Sequence, residues 1–163
     1  MKKTVHIISH SHWDREWYRA FERHRMKLID LIDESMDLFD QDSGFQNFHA
    51  GPWYILQDEF LTSPESNIRN LLIGMQEAEE FGKACKIGYF PDAFGNAGQM
   101  PQILKQAGME AIVFGRGVKP VGFDNMALGG EYESFYSEMM WESPDGSSLP
   151  GLLKLQQSVW YKA

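Results

Sequence analysis

Short apolar runs and longer stretches of helical periodicity alternate along this chain, and each short run opens into a polar loop. Residues 4–9 form a short apolar run that fits a buried strand. From about Ala20 to Asp40, Met26, Ile29, Ile32, Met36 and Phe39 recur every three or four residues with charges between them, which is an amphipathic helix. Ser63-Pro64 supplies an N-cap and a first-turn proline, Ile68, Leu71, Leu72, Met75 and Phe81 continue a helical stripe, and Gly82 ends it. Lys86 to Phe90 reads as a strand, Gln99 to Ala107 as a short helix with Gly108 at its C-cap, and Ala111 to Gly115 as a further strand. Such alternation defines an α/β fold with a mostly parallel sheet, open or closed into a distorted β/α barrel. Its chemistry then belongs at the carboxyl ends of the strands.

Two regions depart from the alternation. Between Phe45 and Phe60 two strand-like halves meet at Ala50-Gly51, and the following Pro52 is poorly placed inside a central strand, so this join looks compressed. After a Gly-rich stretch at 117–130, Ser137 to Trp141 and Leu149 to Leu155 flank Pro144-Asp145-Gly146, a hairpin-type turn. Residues 154–163 have no clear pattern.

A length of 163 residues with 43% hydrophobic and 13% aromatic content is enough for one folded domain. Fifteen Lys and Arg, scattered and outnumbered by 23 acids, leave no basic stripe for a phosphate backbone, so nucleic acid is not an expected partner. The single Cys85 excludes an internal disulfide and a cysteine-based zinc site. The first residues carry too few consecutive apolar side chains for a signal sequence or a membrane span. A cytoplasmic protein that does not engage a membrane is the expectation, and homo-oligomer formation is left open.

The densest chemistry lies in His10-Ser-His-Trp-Asp-Arg-Glu-Trp17, directly after the first strand. His12 and Asp14 are two apart, so in an extended segment they point the same way and can ligate one ion. Imidazole nitrogen and carboxylate oxygen are both zinc ligand types. His6, His24 and His49 read as structural, and His10 as a group that orients its neighbours. Asp92 follows the strand at 86–90; alone it also reads as a turn or cap residue. If the two strands lie in one parallel sheet, Asp92 can approach a metal held by His12 and Asp14. Arg116, at the end of a third strand, can hold an ionised Asp92 through a forked hydrogen bond and keep it a competent nucleophile. Trp17, Trp53, Tyr54 and Phe94 offer flat faces of the kind that bind the apolar side of a sugar ring, although most aromatics in such a chain are core.

The octet, together with Gly88-Tyr-Phe-Pro-Asp-Ala-Phe-Gly-Asn96 and Gly115-Arg116-Gly117 in that order, resembles the N-terminal catalytic domain of the bacterial α-mannosidases of glycoside hydrolase family 38. The resemblance covers residues 1–153 as a partial domain and leaves 154–163 as an unassigned tail. It implies a retaining α-mannosidase with one catalytic Zn2+ per site. His12 and Asp14 match two metal ligands, and Asp92 matches both the nucleophile and a third ligand. Trp17 matches the indole against the bound mannose, Phe94 an aromatic beside the nucleophile, and Arg116 the arginine bonded to it. An α-mannoside oligosaccharide is the implied substrate. Retaining chemistry also requires a second carboxyl as acid/base, about 5–5.5 Å from the nucleophile.

This sequence departs from the family in two respects. The family's acid/base Asp and its fourth ligand, a His, belong to motifs beyond the matched region. Family members also carry a further strand and helix between segments resembling Phe48-His49-Ala50 and Gly51-Pro52-Trp53, an apparent internal deletion here that explains the compressed join. The isolated chain is therefore expected to be inactive although its parent is a glycoside hydrolase. Two other readings accompany this one. A zinc-dependent carbohydrate deacetylase would release acetate and would need a histidine pair; a non-catalytic sugar-binding fragment would bind mannose weakly through the aromatics.

Overall fold

The computed structural model describes residues 18–42, 50–116 and 137–153. The octet with His10, His12, Asp14 and Trp17, the strand expected at 4–9, His49, the Gly-rich stretch and the tail lie outside the described residues. The chain divides into two compact units, Met1–Phe48 and His49–Ala163, with the boundary two residues before the Ala50-Gly51 join.

In the first unit the expected amphipathic helix is α1, Phe21–Gln41. No helix among the described residues is long and apolar enough to cross a membrane.

The second unit holds two further helices and the sheet. Helix α2 spans Pro64–Glu80, and Ser63 caps it by accepting the amide of Ser66 at 3.1 Å. Strand β1 is Ile87–Phe90, α3 is Met100–Gln106, β2 is Ala111–Phe114, β3 is Glu138–Glu142 and β4 is Ser148–Leu153. The strands form an open sheet in the order β1-β2-β4-β3. β1 pairs with β2, and β2 with β4, in parallel, while β3 and β4 form the antiparallel hairpin. Of the two architectures expected, the described residues thus form the open, mostly parallel sheet. Gly146, at φ 82°, closes the hairpin turn, where Ser143 N donates to Ser147 O and Asp145 Oδ1 accepts from Ser147 N. Pro150 is tolerated in β4 because pairing with β2 starts only at Gly151.

The core lies where α3 covers the sheet. Leu104 and Ile112 are fully buried, with Met100, Phe90 and Phe114 nearly so. Burial of an aliphatic side chain of this size contributes about 1.5–3 kcal/mol. The ring of Trp141 meets Phe114 edge-on at 6.2 Å.

Two expectations are corrected. Residues 50–60 are not a strand: they run irregularly across α2. Asn70 supplies what a neighbouring strand would have supplied. Its carbonyl accepts from Tyr54 N, its Oδ1 from Ile55 N, and its Nδ2 donates to Ile55 O at 2.7 Å. The buried face of α2 is also rotated from the apolar stripe. Asn67, Leu71, Gly74 and Ala78 are buried, whereas Leu72 and Phe81 are exposed. Small and amide side chains face inward because the 50–60 segment packs there; Gly51 comes so close to Ala78 that a methyl on it would stand 3.3 Å from Cβ.

Candidate functional site

The register of β1 against β2 builds the site. Phe90 is opposite Phe114, so the next residues, Pro91 and Gly115, and the next but one, Asp92 and Arg116, leave the sheet side by side at the carboxyl ends of parallel strands. The ladder continues one step further, with Gly115 N donating to Phe90 O at 2.9 Å. Only glycine fits at 115, because the Pro91 carbonyl occupies the space of a Cβ. That close approach brings Arg116 Nη2 to 2.6 Å from Asp92 Oδ1.

The loop after Asp92 folds back over the pair. Phe94 lies on the guanidinium, with Arg116 Cζ 4.1 Å from the ring centroid, and Asn96 Nδ2 donates to Arg116 O at 3.1 Å. Arg116 is therefore held by a carboxylate, an aromatic face and an amide, and both members of the ion pair remain partly open to solvent. Phe94 itself is 74% exposed, an aromatic surface beside a carboxylate.

Asp92, Phe94 and Arg116 are thus brought together as the sequence pattern anticipated. Trp53 is not on an open wall. It is buried, its ring packs 5.4 Å from that of Phe90, and its Nε1 donates to Tyr89 O at 3.0 Å, so it belongs to the core beneath the site. Tyr54 is exposed and is tied through its backbone to Asn70. His12, Asp14 and Trp17 lie outside the described residues. Among the described residues no group of three or more His, Cys, Asp or Glu side chains is arranged to hold a metal ion. A hollow of about 520 Å³ lies elsewhere, among Met75, Lys83, Lys86 and Ala107 at the start of β1, the end opposite Asp92.

The sequence reading overlooked Asp58 and Glu59. Asp58 Oδ1 accepts the amide of Phe94 at 3.2 Å, and Glu59 Oε2 accepts that of Ala97 at 2.5 Å. The available signal was an acidic pair closing an aromatic and aliphatic run. Burial pushes the Glu59 carboxyl up to about 7, with the Ala97 amide working in the opposite direction. The folded state therefore favours the neutral acid. Its contribution to stability is full below about pH 4.5, falls as pH rises, and is lost once pH passes about 7. Urea unfolding between those values is expected to show a decline of up to about 3 kcal/mol from this group, which Glu59→Gln should remove.

Comparison with known proteins places this geometry in a family. Residues 46–162 match the glycosyl hydrolases family 38 N-terminal domain, and the chain belongs to that family. It is 49% identical to a protein of Halalkalibacterium halodurans provisionally named mannosylglycerate hydrolase, over an alignment covering 99% of this chain and 21% of that protein. It is 35% identical to α-mannosidase G of Dictyostelium discoideum over 61% of this chain and 8% of that protein. The crystal structure of an α-mannosidase from Enterococcus faecalis V583 superposes with a TM-score of 0.77 at 44% identity, covering 90% of this chain and 19% of that one. The chain thus spans about a fifth of the length of its bacterial relatives. The first of these alignments runs over 194 positions, at least 31 more than the 163 residues here, so the relative has residues inside the matched span that this chain lacks.

Proposed function

We propose that the protein carrying this chain is a retaining, zinc-dependent α-mannoside hydrolase with Asp92 as its nucleophile. The observation that carries the reading is the Asp92, Arg116 and Phe94 group at the carboxyl ends of β1 and β2 in a chain of family 38. Arg116 keeps one carboxylate oxygen fixed. An Asp92 oxygen attacks the anomeric carbon of mannose, and the glycosidic C–O bond breaks as a second carboxyl protonates the departing oxygen. Water, deprotonated by that same carboxyl, then cleaves the mannosyl ester, so mannose leaves with its configuration retained. The second carboxyl lies outside the region this chain matches, and we infer that turnover requires the remainder of the protein.

One imidazole and two carboxylates form a donor set of the types zinc takes, so His12, Asp14 and Asp92 would hold the ion. When bound it supplies Lewis-acid stabilisation at the sugar hydroxyls. Phe94 and Trp17 offer their faces to the apolar side of the ring. Cytoplasmic breakdown of α-mannosides is the setting we propose.

The relative at 49% identity favours a second reading of the substrate, an α-mannoside whose aglycone is glycerate rather than another sugar. The whole protein is expected to release mannose from an aryl α-mannoside, to lose that activity on dialysis against a chelator and to regain it with Zn2+. Activity indifferent to metal removal would eliminate the zinc assignment. Comparing mannosylglycerate with a mannose disaccharide separates the two substrates.

A further inference from the structure

The loop that places Phe94 and Asn96 against Arg116 is largely solvent-facing, yet two consecutive acidic residues grip it from the irregular 50–60 segment that precedes α2. Asp58 Oδ1 accepts Phe94 N and Glu59 Oε2 accepts Ala97 N, three residues further on, so the intervening turn is pinned at both ends. The grip is itself anchored. Asn67, buried in α2, donates its Nδ2 to Glu59 O and accepts Thr62 Oγ1 at 2.7 Å, while Asp58 O accepts Leu61 N and Thr62 Oγ1. The ring of Phe60 lies over Gly95, where a Cβ would stand 2.7 Å from it. Glu59 is 5% exposed, and its Oε1 has no hydrogen-bond partner among the described residues. Burying a carboxyl with one oxygen unsatisfied is costly, and what the molecule obtains for it is a fixed amide at Ala97.

We propose that Asp58 and Glu59 are positioning residues for Asp92. They fix the turn 94–97, the turn fixes Arg116 through the Phe94 face and the Asn96 amide, and Arg116 fixes the attacking carboxylate. Each side chain accepts a backbone amide of the turn, so each residue acts on the reacting geometry and not on affinity. The inference rests on Asp92 being the nucleophile.

The test measures kcat and KM of the whole protein on an aryl α-mannoside. Glu59→Leu removes the acceptor and is expected to lower kcat about 30-fold with KM changed less than about threefold, the cost of a misplaced attacking group. Glu59→Gln keeps a carbonyl for Ala97 N and should restore kcat to within about threefold. Asp58 is only partly buried, so its variants fold even if Glu59→Leu does not: Asp58→Ala is expected to lose about fivefold in kcat and Asp58→Asn to recover it. Wild-type kcat in both Glu59→Leu and Asp58→Ala, or losses confined to KM, would overturn the proposal while Asp92→Ala remains inactive. Activity in Asp92→Ala would instead remove the reading on which it rests.

Discussion

Asp92→Ala is expected to lower kcat of the whole protein on an aryl α-mannoside by roughly 10⁴-fold or more, because removal of a nucleophile leaves only binding and electrostatic assistance. The loss will not come from unfolding. Asp92 and Arg116 are both more than a third exposed, and ion pairs in that setting contribute about 0–1 kcal/mol. The thermal midpoint should therefore hardly move while turnover disappears. Arg116→Lys makes a finer measurement of the same site. It keeps the positive charge but loses the planar face that lies under Phe94 and the fork suited to a carboxylate. An intermediate loss of about 10- to 100-fold is expected, since the reacting group is displaced and not removed. Near-normal turnover in Asp92→Ala would show that the carboxylate beside Arg116 belongs to a turn and not to the chemistry.

What made this pair legible was chain arithmetic. Two short apolar runs, each followed by a glycine or proline and then a charged residue, become neighbouring parallel strands whose paired ends, Phe90 and Phe114, carry Asp92 and Arg116 out in step. The 50–60 segment defeated the same reasoning. Its aromatic and aliphatic residues have strand composition, but the backbone of Tyr54 and Ile55 bonds to the side chain and carbonyl of Asn70, a partner that no periodicity announces. The buried face of α2 was hidden for a related reason. Hydropathy selects Ile68, Leu72 and Phe81, and the helix instead buries Asn67, Gly74 and Ala78, because a backbone segment needs a shallow groove and an amide partner rather than an apolar ridge. Glu59 escaped because an acidic side chain reads as solvated, and only the fold shows that it is enclosed.

Gly74→Ala separates those two views of α2. By helix propensity alone, alanine in the middle of a 17-residue helix should stabilise the protein by about 1 kcal/mol over glycine. The fold dictates the opposite sign. A methyl at residue 74 would fall within contact distance of Pro52 O, Trp53 C and Tyr54 N, and these are backbone atoms that no rotamer change can move aside. The segment cannot lift locally either, since Asn70 holds Tyr54 and Ile55 through three hydrogen bonds and the buried Trp53 indole is bonded to Tyr89 O. Overpacking against a tethered backbone should cost more than the usual 1–3 kcal/mol, so a net destabilisation of about 4 kcal/mol is expected in urea unfolding. Glu77→Ala, exposed on the same helix, should stay within about 0.5 kcal/mol. The disturbance also has a path to the chemistry. Trp53 packs on Phe90, two residues before Asp92, so whatever Gly74→Ala folds should turn over more slowly as well. A raised urea midpoint would mean that residues 52–54 do not lie on α2, and with that the anchorage of Asp58 and Glu59 would be lost.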